Sequence, residues 1–286
     1  MSRVALFGGI YSNYLALEAA IADARRRGVD AIYCLGDLGA FGPYPDRAIE
    51  ILRANNIRCV RGNYDDSIGN ELADCQCGYT DPRDNYFAQI SYDYTLAKTS
   101  ADDRQWLKSL PGEIRLEIDG HNVLLCHGSP RKMNEFLWES TTPTHFLEHL
   151  AQQHDADVIC GTHSGIKWQR ELTGSGLATG QTAPPTAESS AGNDSRPLHA
   201  GKFVNVGVLG RPENDGRTNV WYTLLSADGD GSLSAEFIPV GYDHHRLAAE
   251  MRAESLPEEF IETVLTGWWT TCLEVLPAKE RRRGKF

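Results

Sequence analysis

Four side chains carrying oxygen or nitrogen donors, Asp37, Asn63, His127 and His163, each follow a short apolar run and stand close to a glycine. Two imidazoles, a carboxylate and a carboxamide oxygen form a mixed donor set suited to zinc, iron or manganese, with coordination positions left for water or substrate. Each residue alone has an ordinary explanation. A lone histidine is usually a satisfied polar residue, and Asp37 could cap a helix beginning near Pro45. Together, four donors at four strand ends point to one site. Asp37 is its centre: the run Ala31 to Leu35 stops at a carboxylate flanked by Gly36 and Gly39, which let backbone or ligand approach closely.

The elements that must position these residues read as an α/β chain. Val4 to Phe7, Ala31 to Leu35 and Ile57 to Val60 are strand-like runs ending in polar residues and glycine, with helical spacing over Leu15 to Arg27 and Pro45 to Ala54 between them. This alternation predicts a parallel sheet with crossover helices whose strand ends gather on one edge. Asp74 to Arg83 reads as loop, and Asn85 to Lys98 and Ala101 to Leu110 as outer helices, the second capped by Ser100. Ile114 to Ile118 and Val123 to Cys126 form a hairpin that runs into His127, and Val158 to Cys160 is a strand leading to His163. Thr144 to Gln153 is helical. Further strands are expected at Phe203 to Val206, Val220 to Leu225 and Leu233 to Val240, followed by helices at His244 to Glu254 and Pro257 to Thr266. Residues 173–201 hold almost no bulky apolar side chains and read as a mobile insertion loop within a domain spanning 1–242. Residues 243–286 read as a helical appendage packed on the same domain, with Trp268 and Trp269, before a basic tail, Lys279 to Lys285, as core anchors rather than as part of a partner-binding appendage.

Composition narrows the function classes. With 286 residues and 41% hydrophobic content the chain can bury a full core. A formal net charge of −11 argues against a phosphate-tracking surface, so no nucleic-acid partner is expected. No apolar run reaches the roughly 18 residues of a membrane span, and Met1 to Gly8 reads as a strand and turn, so a cytoplasmic protein is expected. Seven cysteines scattered through apolar runs do not read as a disulfide framework, and Cys75-Gln76-Cys77 offers a soft-metal clip without a second pair at zinc-site spacing. There is no Gly-x-Ser-x-Gly elbow, and Cys126 lies in strand text beside His127, so acyl transfer is not expected.

In order and spacing the motifs resemble the calcineurin-like metallophosphoesterases, in particular their small bacterial and archaeal phosphodiesterase-like members, over roughly residues 3 to 240. Gly36-Asp37-Leu38-Gly39, Gly62-Asn63-Tyr64-Asp65, His127-Gly128 and Thr162-His163-Ser164-Gly165 stand where the family has Gly-Asp-x-x-Gly, Gly-Asn-His-Asp, His-Gly and Gly-His-x-His. The resemblance implies a double β-sheet sandwich flanked by helices. It also implies hydrolysis of a phosphorylated small molecule or phosphodiester, with catalytic roles for Asp37, Asn63 and Tyr64. Tyr64 occupies the place of the family histidine that aids the transition state; it is a poorer proton donor but can still donate a hydrogen bond to a phosphoryl oxygen.

The departures sort by metal. If His163 is the first histidine of the last motif, one metal keeps Asp37, Asn63, His127 and His163. The other then finds Gly9, Tyr11 and Gly165 in place of its exclusive ligands. The rival register makes His163 the second histidine and loses the first. The preferred register implies one transition metal, zinc, iron or manganese, and a lost second site, with Tyr11 as a plug rather than an anionic ligand to ferric iron. Arg61, Arg131, Lys167 and Arg211 are candidates to replace the missing positive charge. The alternative function is a non-catalytic pseudo-phosphoesterase that binds a metal, a nucleotide or a partner protein.

Overall fold

In the computed structural model, which describes residues 2–173, 201–228 and 231–284, alternation along the first strand decides the layering. Strand β1 (Arg3–Phe7) sends Val4 and Leu6 to one side and Ala5 and Phe7 to the other. Helix α1 (Tyr14–Arg26), strand β2 (Ala31–Cys34), helix α2 (Pro45–Ala54) and the two-residue strand β3 (Arg58–Cys59) follow as βα units, with β1, β2 and β3 parallel. Helices α3 (Asn63–Gly69), α4 (Pro82–Lys98) and α5 (Ala101–Ser109) come next, and the Ser100 hydroxyl caps α5 by accepting from the Asp103 N–H, as expected. The hairpin β4 (Glu113–Ile118) and β5 (His121–Cys126) opens the second sheet, continued by helix α6 (Thr144–Gln153) and strands β6 (Val158–Gly161), β7 (Trp168–Leu172) and β8 (Gly201–Asn205). Strands β9 (Val220–Ala227) and β10 (Leu233–Val240) return to the first sheet, and α7 (His244–Ala253), α8 (Glu258–Thr266) and α9 (Ala278–Arg283) end the chain.

The strand orders are β10-β9-β1-β2-β3 and β4-β5-β6-β8-β7. Val4, Leu6, Leu35, Val123, Leu125, Val158 and Val204 fill the space between the two sheets. Outside the first sheet, Leu17, Ile49, Leu52, Leu247 and Phe260 pack against Ala5 and Phe7; outside the second, Leu147 and Leu150 of α6 pack against Leu124, Ile159 and Phe203. This is the expected sandwich of two sheets between helices. The sheets are mixed rather than wholly parallel, because β9 runs antiparallel to both β1 and β10, and in the second sheet β4 runs antiparallel to β5 and β7 to β8.

Several expectations need correction. The strand expected at Ile57 to Val60 is two residues long, and the polar stretch after it is not a turn: α3 starts at Asn63 itself, with Gly62 as its N-cap. Asp37 does not cap α2, whose N-cap position is Tyr44. Residues 174–200, nearly all of the expected insertion loop, lie outside the described residues; Leu172 and Gly201, at its two ends, are paired neighbours in the sheet. Among the described residues no helix is long and apolar enough to cross a membrane.

The parallel strands β1, β2, β3 and β5, β6, β8 present their carboxyl ends along one edge, where open α/β sheets place ligands. Gly36 makes that edge tight. Its φ is +91°, and a Cβ there would collide with the main-chain nitrogen of Gly62, so the chain leaving β2 touches the chain leaving β3. Gly36→Ala is therefore expected to lower unfolding free energy by roughly 2–3 kcal/mol, read as a lower urea midpoint at unchanged slope.

Candidate metal centre

Asp37 follows Gly36 in a left-handed conformation, φ 57°, and is almost fully buried. The turn is held from the α3 side: Asp65 accepts hydrogen bonds from the main-chain N–H of Asp37 (2.8 Å), Leu38 (2.9 Å) and Gly62 (2.8 Å). The Tyr64 N–H donates to Asp37 Oδ1 at 3.1 Å, which leaves Oδ2 facing His127. The Asp37 carbonyl in turn accepts from the N–H of Ile10 and Tyr11, so the loops after β1, β2 and β3 are bonded into one platform.

His127, at the end of β5, donates Nδ1–H to the Leu35 carbonyl at 2.6 Å. That bond fixes the tautomer and turns Nε2 inward as a lone-pair donor. Around Nε2 lie Asn63 Oδ1 at 3.1 Å, Asp37 Oδ2 at 3.2 Å and His163 Nδ1 at 3.3 Å. The amide of Asn63 is oriented by its Nδ2, which donates to the Cys75 carbonyl at 2.8 Å, leaving its oxygen toward His127. His163 also has a left-handed backbone, φ 66°, lies against the Phe136 ring, and keeps its Nε2 buried without a hydrogen-bond partner. The ligand atoms of Asp37, His127 and His163 all lie within 4.8 Å of one another.

The electrostatics of this cluster are set by burial and by the close approach of its charged groups. Burial pushes His163 down to about 3, helped by the neighbouring His127, so it is a neutral imidazole with a free lone pair. Burial works against charge on both Asp37 and His127, but their mutual attraction wins, lowering the carboxyl and raising the imidazole. Burial, with the charge of Asp37 behind it, raises Asp65 to about 6. The donor set, burial and tautomer control fit a transition metal with open positions.

The family model of the calcineurin-like phosphoesterase superfamily domain matches residues 3–227. The chain belongs to this family. An uncharacterized protein of Methanocaldococcus jannaschii, MJ0912, is 26% identical over 276 residues, covering 93% of this chain and 98% of that protein. A metallophosphoesterase from Sphaerobacter thermophilus has a similar structure, with TM-score 0.66 and 25% identity over 93% of this chain and 99% of its own. The hypothetical protein PH1004 from Pyrococcus horikoshii shares the fold, with TM-score 0.69, 21% identity and 94% and 100% coverage.

In a calcineurin-like chain the surroundings of the expected second site stand out. The Tyr11 ring lies over Gly9: a Cβ at Gly9 would come within 2.6 Å of Tyr11 Cε1. Beyond Gly165, a Cβ would meet the Trp269 indole at 3.0 Å and Arg211 Nη2 at 3.4 Å. The Tyr11 hydroxyl is raised above its ordinary pKa, chiefly by burial, and is a neutral phenol. Tyr64 is buried too, and its hydroxyl donates to the Ala88 carbonyl at 3.3 Å. Of the four cations considered from sequence, Arg61 pairs with Asp66, Arg131 with Glu135 and Lys167 with Glu213; Arg211 alone lines the cavity beside Asp37 and His163.

Two features escaped the sequence reading. Cys75 and Cys77, considered from sequence only as a soft-metal clip, form a disulfide, and their loop carries the carbonyl that orients Asn63. The other five cysteines are free, as expected of a chain without a disulfide framework. Asp65 emerges as the residue that builds the Asp37 turn; its place three residues after Gly62, at the third position of a helix, was the available signal.

Proposed function

We propose that the chain is a metal-dependent phosphoester hydrolase that works with one metal, held by Asp37, Asn63, His127 and His163. The observation that carries the reading is the convergence of two acceptor oxygens, of Asp37 and Asn63, and a ring nitrogen of His163 on His127 Nε2 while its Nδ1–H is committed to Leu35. When bound, the metal supplies Lewis-acid charge to a phosphoryl oxygen and makes a water acidic enough to attack phosphorus. The protein's own residues do the positioning. The Leu35 carbonyl holds His127, the Cys75 carbonyl holds Asn63, and the Tyr64 N–H holds Asp37. We assign Tyr64 this main-chain role, because its hydroxyl is occupied at Ala88. The grouping of His163 with His127 and Asp37 favours the register in which His163 belongs to the retained site. The Tyr11 ring over Gly9 favours the plug. The substrate is a phosphorylated small molecule, admitted to a cavity walled by Phe41, Tyr79, Phe87 and Phe260.

Titrating chelator-treated protein with manganese while following hydrolysis of p-nitrophenyl phosphate and its bis ester tests this. Hydrolysis is expected to rise linearly and saturate at one equivalent. Tight binding of one metal with no hydrolysis of any ester would instead establish the pseudo-phosphoesterase reading.

A further inference from the structure

We propose that Arg211 is the site's second cation, a fixed guanidinium that receives the phosphoryl oxygens of a phosphomonoester; this rests on the single-metal reading above. The side chain is only 6% exposed, and it has no ion pair or hydrogen bond with any described residue; its Nε is buried without a partner. A buried guanidinium without a counter-ion is costly, so the site is built to receive an anion. The cavity it lines together with Asp37 and His163 has a volume of about 50 Å³, room for a few water-sized groups and so for a phosphoryl group.

Arg211 is held in place rather than swinging free. The main-chain N–H groups of Leu209 and Gly210 donate to the Gly9 carbonyl, and Asn13 Nδ2 donates to the Gly210 carbonyl at 2.9 Å. Its guanidinium lies 3.6 Å from the centre of the Trp269 ring, and Trp269 Nε1 donates to the Pro212 carbonyl at 2.8 Å. The C-terminal segment thus clamps the arginine loop over the space next to Gly165. A planar fork of donors suits two oxygens of one phosphoryl group, and stacking leaves its edge free to bind them. Oxygen count sets the class of ester. A phosphomonoester keeps three unesterified oxygens, enough for two on the guanidinium fork and one on a metal, whereas a diester keeps only two.

Calorimetric titration with inorganic phosphate tests the inference on chelator-treated full-length protein. Native protein is expected to bind, and Arg211→Gln to bind at least tenfold more weakly, while Arg211→Gln still takes up one manganese. Uptake of that manganese separates failure of this inference from failure of the metal site. Phosphate affinity within twofold of native in an Arg211→Gln protein with native near-ultraviolet circular dichroism would overturn it, leaving Arg211 as a stacking partner of Trp269. A second measurement needs no variant: manganese-loaded native protein should bind phenyl phosphate at least tenfold more tightly than diphenyl phosphate, and equal affinity would overturn the inference.

Discussion

Asp37→Ala is expected to empty the site, with metal content falling from about one atom per chain to less than a tenth, and ester hydrolysis falling by about 10³-fold or more. Asp37 is the only carboxylate in the donor group, and it supplies the negative charge that makes a buried cation tolerable among two imidazoles and an amide. Its removal leaves His127 and His163 facing each other at 3.3 Å without a counter-charge. Asp37→Asn separates charge from shape. The amide oxygen can still accept from the Tyr64 N–H, so folding should persist while metal is lost. Elemental analysis and urea unfolding of both variants check this, and a fully loaded Asp37→Asn protein would count against the carboxylate as an essential ligand.

Asp65→Ala is expected to have the largest effect on stability of any single change at the site, a loss of about 3–5 kcal/mol. Its carboxylate is the shared acceptor for three buried N–H groups that come from two separate loops, and alanine leaves all three unpaired. The cost falls on the place where β2 and β3 hand the chain to the site, so metal affinity should fall with stability although Asp65 is not in the donor group. Asp65→Asn, which keeps one acceptor oxygen, should lose about half as much. Urea denaturation of the metal-free proteins measures both, and an Asp65→Ala variant within 1 kcal/mol of native would show that other groups hold the turn.

The donor positions were legible because each lies where an apolar run meets glycine, and the folded chain brings Asp37, Asn63, His127 and His163 together. The strands and most helices were legible for the same reason: Val123 and Leu125 face one layer and Leu124 and Cys126 the other, a period that can be read directly. Helix α3 was not, because in seven residues Tyr64 and Ile68 make a single i,i+4 pair, too short to read as an apolar stripe, and its cap is a glycine without a side-chain signal. The importance of Arg211 among four candidate cations was also hidden. It emerges only when Asp66, Glu135 and Glu213 are seen to pair with the other three. Trp269 read correctly as a buried anchor, but its stacking on Arg211 joins parts of the chain that no local pattern relates.

The most direct test of the account is the number of metal atoms per chain in untagged protein never exposed to chelator, counted by elemental mass spectrometry. One atom of zinc, iron or manganese per chain, lost in both Asp37→Ala and His163→Ala, is the predicted result. Two atoms per chain would contradict the loss of the second site at Gly9, Tyr11 and Gly165, and a protein that neither carries nor takes up metal would contradict the metal centre itself.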